Sequence, residues 1–134
     1  MAHKAILIIA GSQSDKERLS GAFQVLDEAD VAYDFVVSSA HRDPERTAQI
    51  AKTAKREGYR VIIAAAGLAA ALPGTVAAHS ELPVIGLPLD VGPLRGVDAL
   101  YAITQLPPGC PVGSVGIGNA KNAALFALRI LRAG

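Results

Sequence analysis

The stretch Ala5-Ile6-Leu7-Ile8-Ile9-Ala10, running at once into Gly11-Ser12-Gln13-Ser14-Asp15, decides the fold. An unbroken apolar run this short, closed by glycine and without polar alternation, reads as a strand buried on both faces, the habit of parallel sheets. Over residues 16–29 the apolar positions Leu19, Ala22, Phe23 and Leu26 recur at three- and four-residue spacing, the pattern of an amphipathic helix. The strand–turn–helix unit then repeats. Residues 33–37 form a second strand. Asp43-Pro44-Glu45 supplies an N-cap, a proline at the first helical position and an acid in the first turn. That helix turns Ile50, Ala51 and Ala54 inward and stops at Gly58, a C-cap glycine.

Strands three, four and five are expected over residues 61–66, 84–87 and 112–117, with helices over about 97–105 and 119–132. Five buried strands with intervening helices predict an α/β fold. Its form is a three-layer α/β/α, flavodoxin-like, doubly wound parallel sheet in a single domain over residues 1–134. In such sheets the ligand sits beyond the carboxyl ends of the strands, where strand order reverses. The loops after strands one, two and three are therefore the places to look for chemistry.

Composition narrows the function. The 134 residues are 51% hydrophobic and 19% charged, which excludes a disordered chain. Only 4% are aromatic, so the core must be built from Ala, Val, Ile and Leu. No apolar run approaches a membrane span, and a net charge of +1 offers no footprint for nucleic acid or an anionic membrane. Cys110 is the single cysteine, which excludes an intramolecular disulfide and a thiolate metal cluster. The opening apolar run is too short for a signal-peptide core, so a soluble, cytoplasmic protein is the expectation.

Three loops carry candidate chemistry. Gly11 to Asp15 combines glycine, two hydroxyls and the free amides of a helix start, a setting suited to phosphate, with Asp15 available to sugar hydroxyls. Capping by Ser14 or Asp15 is an equally good account of that loop alone. Ser38-Ser39-Ala40-His41-Arg42-Asp43-Pro44 places a proton-transfer group beside a bidentate phosphate donor. Residues 66–74, AGLAAALPG, are small and apolar, so main chain can approach a flat ligand and exclude water. Elsewhere the signals are weaker. Residues 116–121 are half a dinucleotide fingerprint with lysine at the third glycine position. His79 reads as a surface or interface group late in a short helix, His3 as terminal, and Cys110 as a packed turn residue. Three histidines so far apart in sequence do not suggest zinc.

Taken in order, these segments resemble the PurE family of purine biosynthesis, the N5-carboxyaminoimidazole ribonucleotide (N5-CAIR) mutases and aminoimidazole ribonucleotide (AIR) carboxylases. The family's Gly-Ser-x-Ser-Asp loop corresponds to residues 11–15, its Ser-Ala-His-Arg-x-Pro motif to residues 39–44, and its Ala-Gly-x-Ala-Ala-His-Leu-Pro-Gly segment to residues 66–74. Leu82 to Gly86, Gln105 to Gly109 and Asn122 to Leu125 match later landmarks.

The resemblance implies a reaction free of metal and cofactor, on an aminoimidazole ribonucleotide and carbon dioxide. It assigns His41 as the general acid/base. Ser12, Asp15 and Arg42 would bind the ribose phosphate end with help from Ser39, and Gly67, Ala69 and Leu72 would line the substrate. It implies a homo-oligomer, commonly an octamer with a tetramer as the alternative, whose sites lie at subunit interfaces. The apolar final helix also suggests a buried or intersubunit position.

Some positions depart from the pattern. Ala71 stands where the mutases carry a second histidine, and Lys16 where the family carries tryptophan. Ala71 and Lys121-Asn122 are like the direct AIR carboxylases, whereas His41-Arg42 and the Leu-Pro-Pro-Gly turn are like the mutases. The expected activity is the mutase. The alternatives are direct carboxylation of AIR and a catalytically silent ribonucleotide-binding homologue.

Overall fold

The computed structural model describes residues 4–134; His3 lies outside them. Five strands, β1 (Ile6–Ala10), β2 (Tyr33–Val37), β3 (Val61–Ala66), β4 (Val84–Pro88) and β5 (Gly113–Ser114), form one sheet in the order β2-β1-β3-β4-β5, with every neighbouring pair parallel. This is the flavodoxin-like order, and its reversal point lies between β1 and β3. β1, β3 and β4 are buried at every position, as their unbroken apolar runs predict.

The helices are α1 (Ser20–Glu28), α2 (Pro44–Ala54), α3 (Leu72–His79), α4 (Val97–Thr104) and α5 (Ala120–Ala133). Residue alternation along the strands divides the core. Ile6, Ile8, Val61 and Ile63 face Leu19, Leu26 and the Ala123–Ala124–Ala127 stripe on the side of α1 and α5. Leu7, Ile9, Ile62 and Ala64 face Ala51, Leu72, Val76 and Ile103 on the side of α2, α3 and α4. Small residues set the layer spacing. A Cβ on Gly86 would stand 2.4 Å from Ile103 Cγ2, so α4 packs directly on β4.

Asp43 caps α2, accepting the Arg46 amide at 3.2 Å with Pro44 in the first turn. After α2, Gly58 has φ +100° and the Tyr59 amide reaches back to the Ala54 carbonyl at 3.2 Å, the left-handed exit expected of a C-cap glycine.

Three expectations need correction. The first helix does not begin as an α-helix at residue 16: Gln13–Leu19 is a 3₁₀ helix and regular α-helix starts at Ser20. The cap is Ser12, not Ser14 or Asp15; its hydroxyl accepts the Ser14 amide at 3.3 Å. Strand five, expected over residues 112–117, contracts to Gly113–Ser114, because Gly116 at φ +110° and Gly118 at φ +68° take the chain out of extended geometry. The final helix divides into a packed side and an open side. Ala120, Ala123, Ala124, Ala127 and Leu128 are buried, while Leu125 and Phe126 stay exposed. No helix among the described residues is long and apolar enough to cross a membrane.

Candidate active site

A cavity of about 560 Å³ opens beyond the carboxyl ends of β1, β2 and β3, where the doubly wound topology predicts a ligand. It is built by the three loops singled out above. Ser12, Asp15, Ser39, His41, Arg42, Gly67, Ala69 and Leu72 all line it. His79 and Lys121 do not. His79 ends α3 beside Lys52, Lys55 and Arg56, and Lys121 lies over Gly21 of α1. The Gly116–Lys121 segment serves its own helix: Asn119 caps α5 by accepting the Asn122 amide at 3.1 Å.

The loop after β1 presents polar groups on a tight coil. The Ser12 and Ser14 hydroxyls are 2.9 Å apart, and the Asp15 amide donates to the Ser12 carbonyl at 3.1 Å. Burial raises the Asp15 carboxyl above its ordinary value, opposed by the Arg18 charge and a main-chain hydrogen bond at Ser12. In a 3₁₀ helix residues three apart eclipse, so Asp15 and Arg18 stand on the same side and Arg18 joins the cavity wall. Arg18 lies outside the three loops that the sequence marks for chemistry, within the stretch read as an amphipathic helix, and so is not among the expected site residues. Val91 was missed for another reason: it arrives from the loop after β4, and nothing local marks it as a lining residue.

The adjacent serines after β2 separate into two jobs. Ser38 is buried and its hydroxyl lies 2.6 Å from that of Thr47, itself fully buried in α2. The Thr47 hydroxyl also points at the carbonyls of Asp43 and Ser39, at 3.0 and 3.2 Å. Ser39 faces the cavity instead, and its hydroxyl accepts the Arg42 amide at 3.1 Å. Arg46 of α2 donates to the Val37 carbonyl at the end of β2. The segment carrying His41 and Arg42 is thus fastened at both ends to α2 and β2, while its own side chains remain exposed.

Residues 66–72 form the third wall and contribute methyl groups and main chain. A Cβ on Gly67 would stand 2.2 Å from Val91 Cγ2, so only glycine lets these walls meet undisturbed. Ala71 lies at the N-cap of α3 and lines the cavity with a methyl group, leaving His41 as the one imidazole among the lining residues. The titratable groups are then Asp15, Arg18, His41 and Arg42. Among the described residues no ion pair engages either arginine. Two cations, a hydroxyl cluster, one imidazole and an apolar wall suit an anionic ligand with a flat, partly apolar body.

The family model for AIR carboxylase matches residues 5–134. This chain belongs to the AIR carboxylase family. It is similar to the N5-carboxyaminoimidazole ribonucleotide mutase of Synechocystis sp., with 52% identity over 124 residues, covering 92% of this chain and 70% of that protein. The phosphoribosylaminoimidazole carboxylase of Schizosaccharomyces pombe is 51% identical over 124 residues, which are 92% of this chain and 22% of that protein. Among solved structures, Treponema denticola PurE superposes with a TM-score of 0.85 at 27% identity, covering 96% of this chain and 80% of that one. In this AIR carboxylase family member the loops carrying the first three motifs wall the cavity, joined by Arg18 and Val91, whereas the later motifs lie away from it.

Proposed function

We propose that the protein acts in de novo purine biosynthesis, forming 4-carboxy-5-aminoimidazole ribonucleotide by moving the carboxylate of N5-CAIR to ring carbon 4. The observation that carries this reading is the convergence of His41, Arg18, Arg42 and an apolar wall on one cavity. Arg42, with Arg18 beside the same cavity, takes the phosphate together with the hydroxyls of Ser12 and Ser39, and Asp15 accepts from the ribose hydroxyls. Gly67, Ala69 and Leu72 lie against the ring.

The chemistry then asks for one proton carrier. Loss of carbon dioxide from the exocyclic nitrogen leaves an electron pair there, which takes up a proton and yields the enamine-like AIR. Ring carbon 4 attacks the retained carbon dioxide, forming a carbon–carbon bond and a tetrahedral carbon that still bears its hydrogen. His41 removes that proton and aromaticity returns, so the proton gained at nitrogen balances the one lost from carbon. Apolar walls serve this sequence by keeping water from the gas and from the intermediate.

A second reading, direct carboxylation of AIR, is favoured by Ala71, whose methyl group leaves the cavity with a single imidazole. Separate incubations with N5-CAIR and with AIR plus bicarbonate decide between them. Turnover of the first alone supports the mutase and of the second alone the carboxylase; binding without turnover of either rules out an enzyme. His41→Asn is expected to abolish turnover while nucleotide binding survives. A homo-oligomeric assembly is part of the proposal, supported by the exposed Leu94, Val97, Tyr101, Leu125 and Phe126.

A further inference from the structure

His41 and Ala69 meet across the cavity from two different loops. The His41 Nε2 atom lies 2.8 Å from the carbonyl oxygen of Ala69. A carbonyl oxygen has lone pairs and no proton, so the ring nitrogen is the donor at this contact. A neutral imidazole has one N–H. With that hydrogen committed to Nε2, the nitrogen free to accept a proton is Nδ1.

The carbonyl is itself held in an unusual place. Ala69 has φ +49°, the left-handed region that a residue with a Cβ enters at a cost and keeps only where its surroundings fix it. Here the fixing groups are visible. The Ala69 oxygen also accepts the Ala71 amide at 2.7 Å, and Ala70 and Leu72, on either side of Ala71, are both buried. One oxygen therefore ties the turn into α3 and the imidazole after β2 to the same point.

We propose that Ala69 is a positioning residue whose main-chain carbonyl, set by the left-handed turn, locks His41 as the Nε2–H tautomer and makes Nδ1 the atom that exchanges a proton with substrate. This rests on the reading of His41 as the acid/base. It adds which nitrogen works and what orients it.

The test uses long-range proton–nitrogen correlation spectra of the ¹⁵N-histidine-labelled protein, recorded above the ordinary histidine titration range, with His41 assigned by its loss in His41→Asn. Free imidazole already leans towards the Nε2–H form in water, so protection of the Nε2 hydrogen from solvent exchange is the decisive signal. A protected Nε2–H with a pyridine-like Nδ1 is expected. An Nδ1–H form, or an Nε2–H that exchanges as fast as that of free histidine, overturns the proposal.

Variants at Ala69 add a kinetic readout. Ala69→Val, which resists the left-handed region, should lose the protection and lower kcat by about tenfold or more. Ala69→Gly, which enters that region freely, should keep the Nε2–H protected. If Ala69→Val folds and leaves both protection and kcat untouched while His41→Asn is dead, the positioning role fails and the acid/base reading stands. Normal turnover by His41→Asn would remove both. Should Ala69→Val not fold, the wild-type and Ala69→Gly spectra decide alone.

Discussion

Replacing Gly67 with alanine tests whether the cavity walls are in contact as described. The new Cβ would lie 2.2 Å from Val91 Cγ2, 3.5 Å from Val91 Cβ and 3.9 Å from Leu89 Cβ. Carbon atoms rest at roughly 3.5–4.0 Å, so the Val91 methyl must retreat by about 1.3 Å or more. It cannot do so cheaply, because a β-branched side chain has little freedom at χ1. Overpacking of this kind costs about 1–3 kcal/mol. With a urea dependence of about 1–3 kcal/mol per molar, Gly67→Ala should lower the unfolding midpoint by roughly 1 M. The displaced valine also lines the cavity, so KM for the nucleotide should rise. The decisive measurement is the double-mutant cycle with Val91→Ala, which removes the offending methyl. In that background the alanine should cost a fraction of its wild-type penalty, an interaction of about 1 kcal/mol or more. Equal costs in both backgrounds would refute the contact and the reason given for glycine.

Other consequences follow from the same site. Arg42→Ala and Arg18→Ala should each raise KM about tenfold or more with a smaller effect on kcat, as expected for loss of a charge-assisted bond to a phosphate; an unchanged KM for either, by steady-state kinetics, removes that arginine from the phosphate end. Asp15 gives a pH-dependent trade-off. Its folded-state pKa is raised chiefly by burial, so the folded chain holds this proton more tightly than the unfolded one, and the ionised carboxylate weakens the fold once pH climbs through the raised value. Asp15→Asn should therefore raise Tm at neutral pH, lose that gain well below the ordinary carboxylate range, and bind nucleotide worse; a lower Tm at neutral pH contradicts the assigned cause. Thr47→Val removes the hydroxyl shared with Ser38 and should cost about 1–3 kcal/mol in urea melts, because it strands a buried hydroxyl. The Ser38→Ala, Thr47→Val pair should recover part of that loss, and a strictly additive pair would argue against the network.

The parts of this molecule that sequence makes legible are those governed by neighbours along the chain. β1 and β3 announce themselves as unbroken apolar runs, α2 by Asp43-Pro44-Glu45 at one end and Gly58 at the other, and the order of these elements is enough to place the ligand end of the sheet. His41 and Arg42 are legible because they follow β2 directly. What eludes the reading depends on geometry that periodicity does not carry. Arg18 reaches the cavity from within the 3₁₀ turn, past the loop that the sequence marks. Val91 reaches it only through tertiary folding of the β4–α4 loop. The contraction of β5 needs the φ values of Gly116 and Gly118, and the different duties of Ser38 and Ser39 need the position of Thr47. The bond between His41 and the Ala69 carbonyl joins residues 28 apart in sequence, and no local pattern signals it.

The brevity of β5 has a consequence for how copies of this chain can meet. A long, flat edge strand offers a row of main-chain donors and acceptors on which a second sheet can be extended at almost any register. Here that edge is two residues long, one of them glycine, with exposed apolar side chains of α4 and α5 in the same region of the chain. Strand addition is therefore a poor route to association on this side. Contact between copies on this side would rest on side-chain shape rather than on main-chain ladders, and would leave undisturbed the register of the sheet that holds the cavity open.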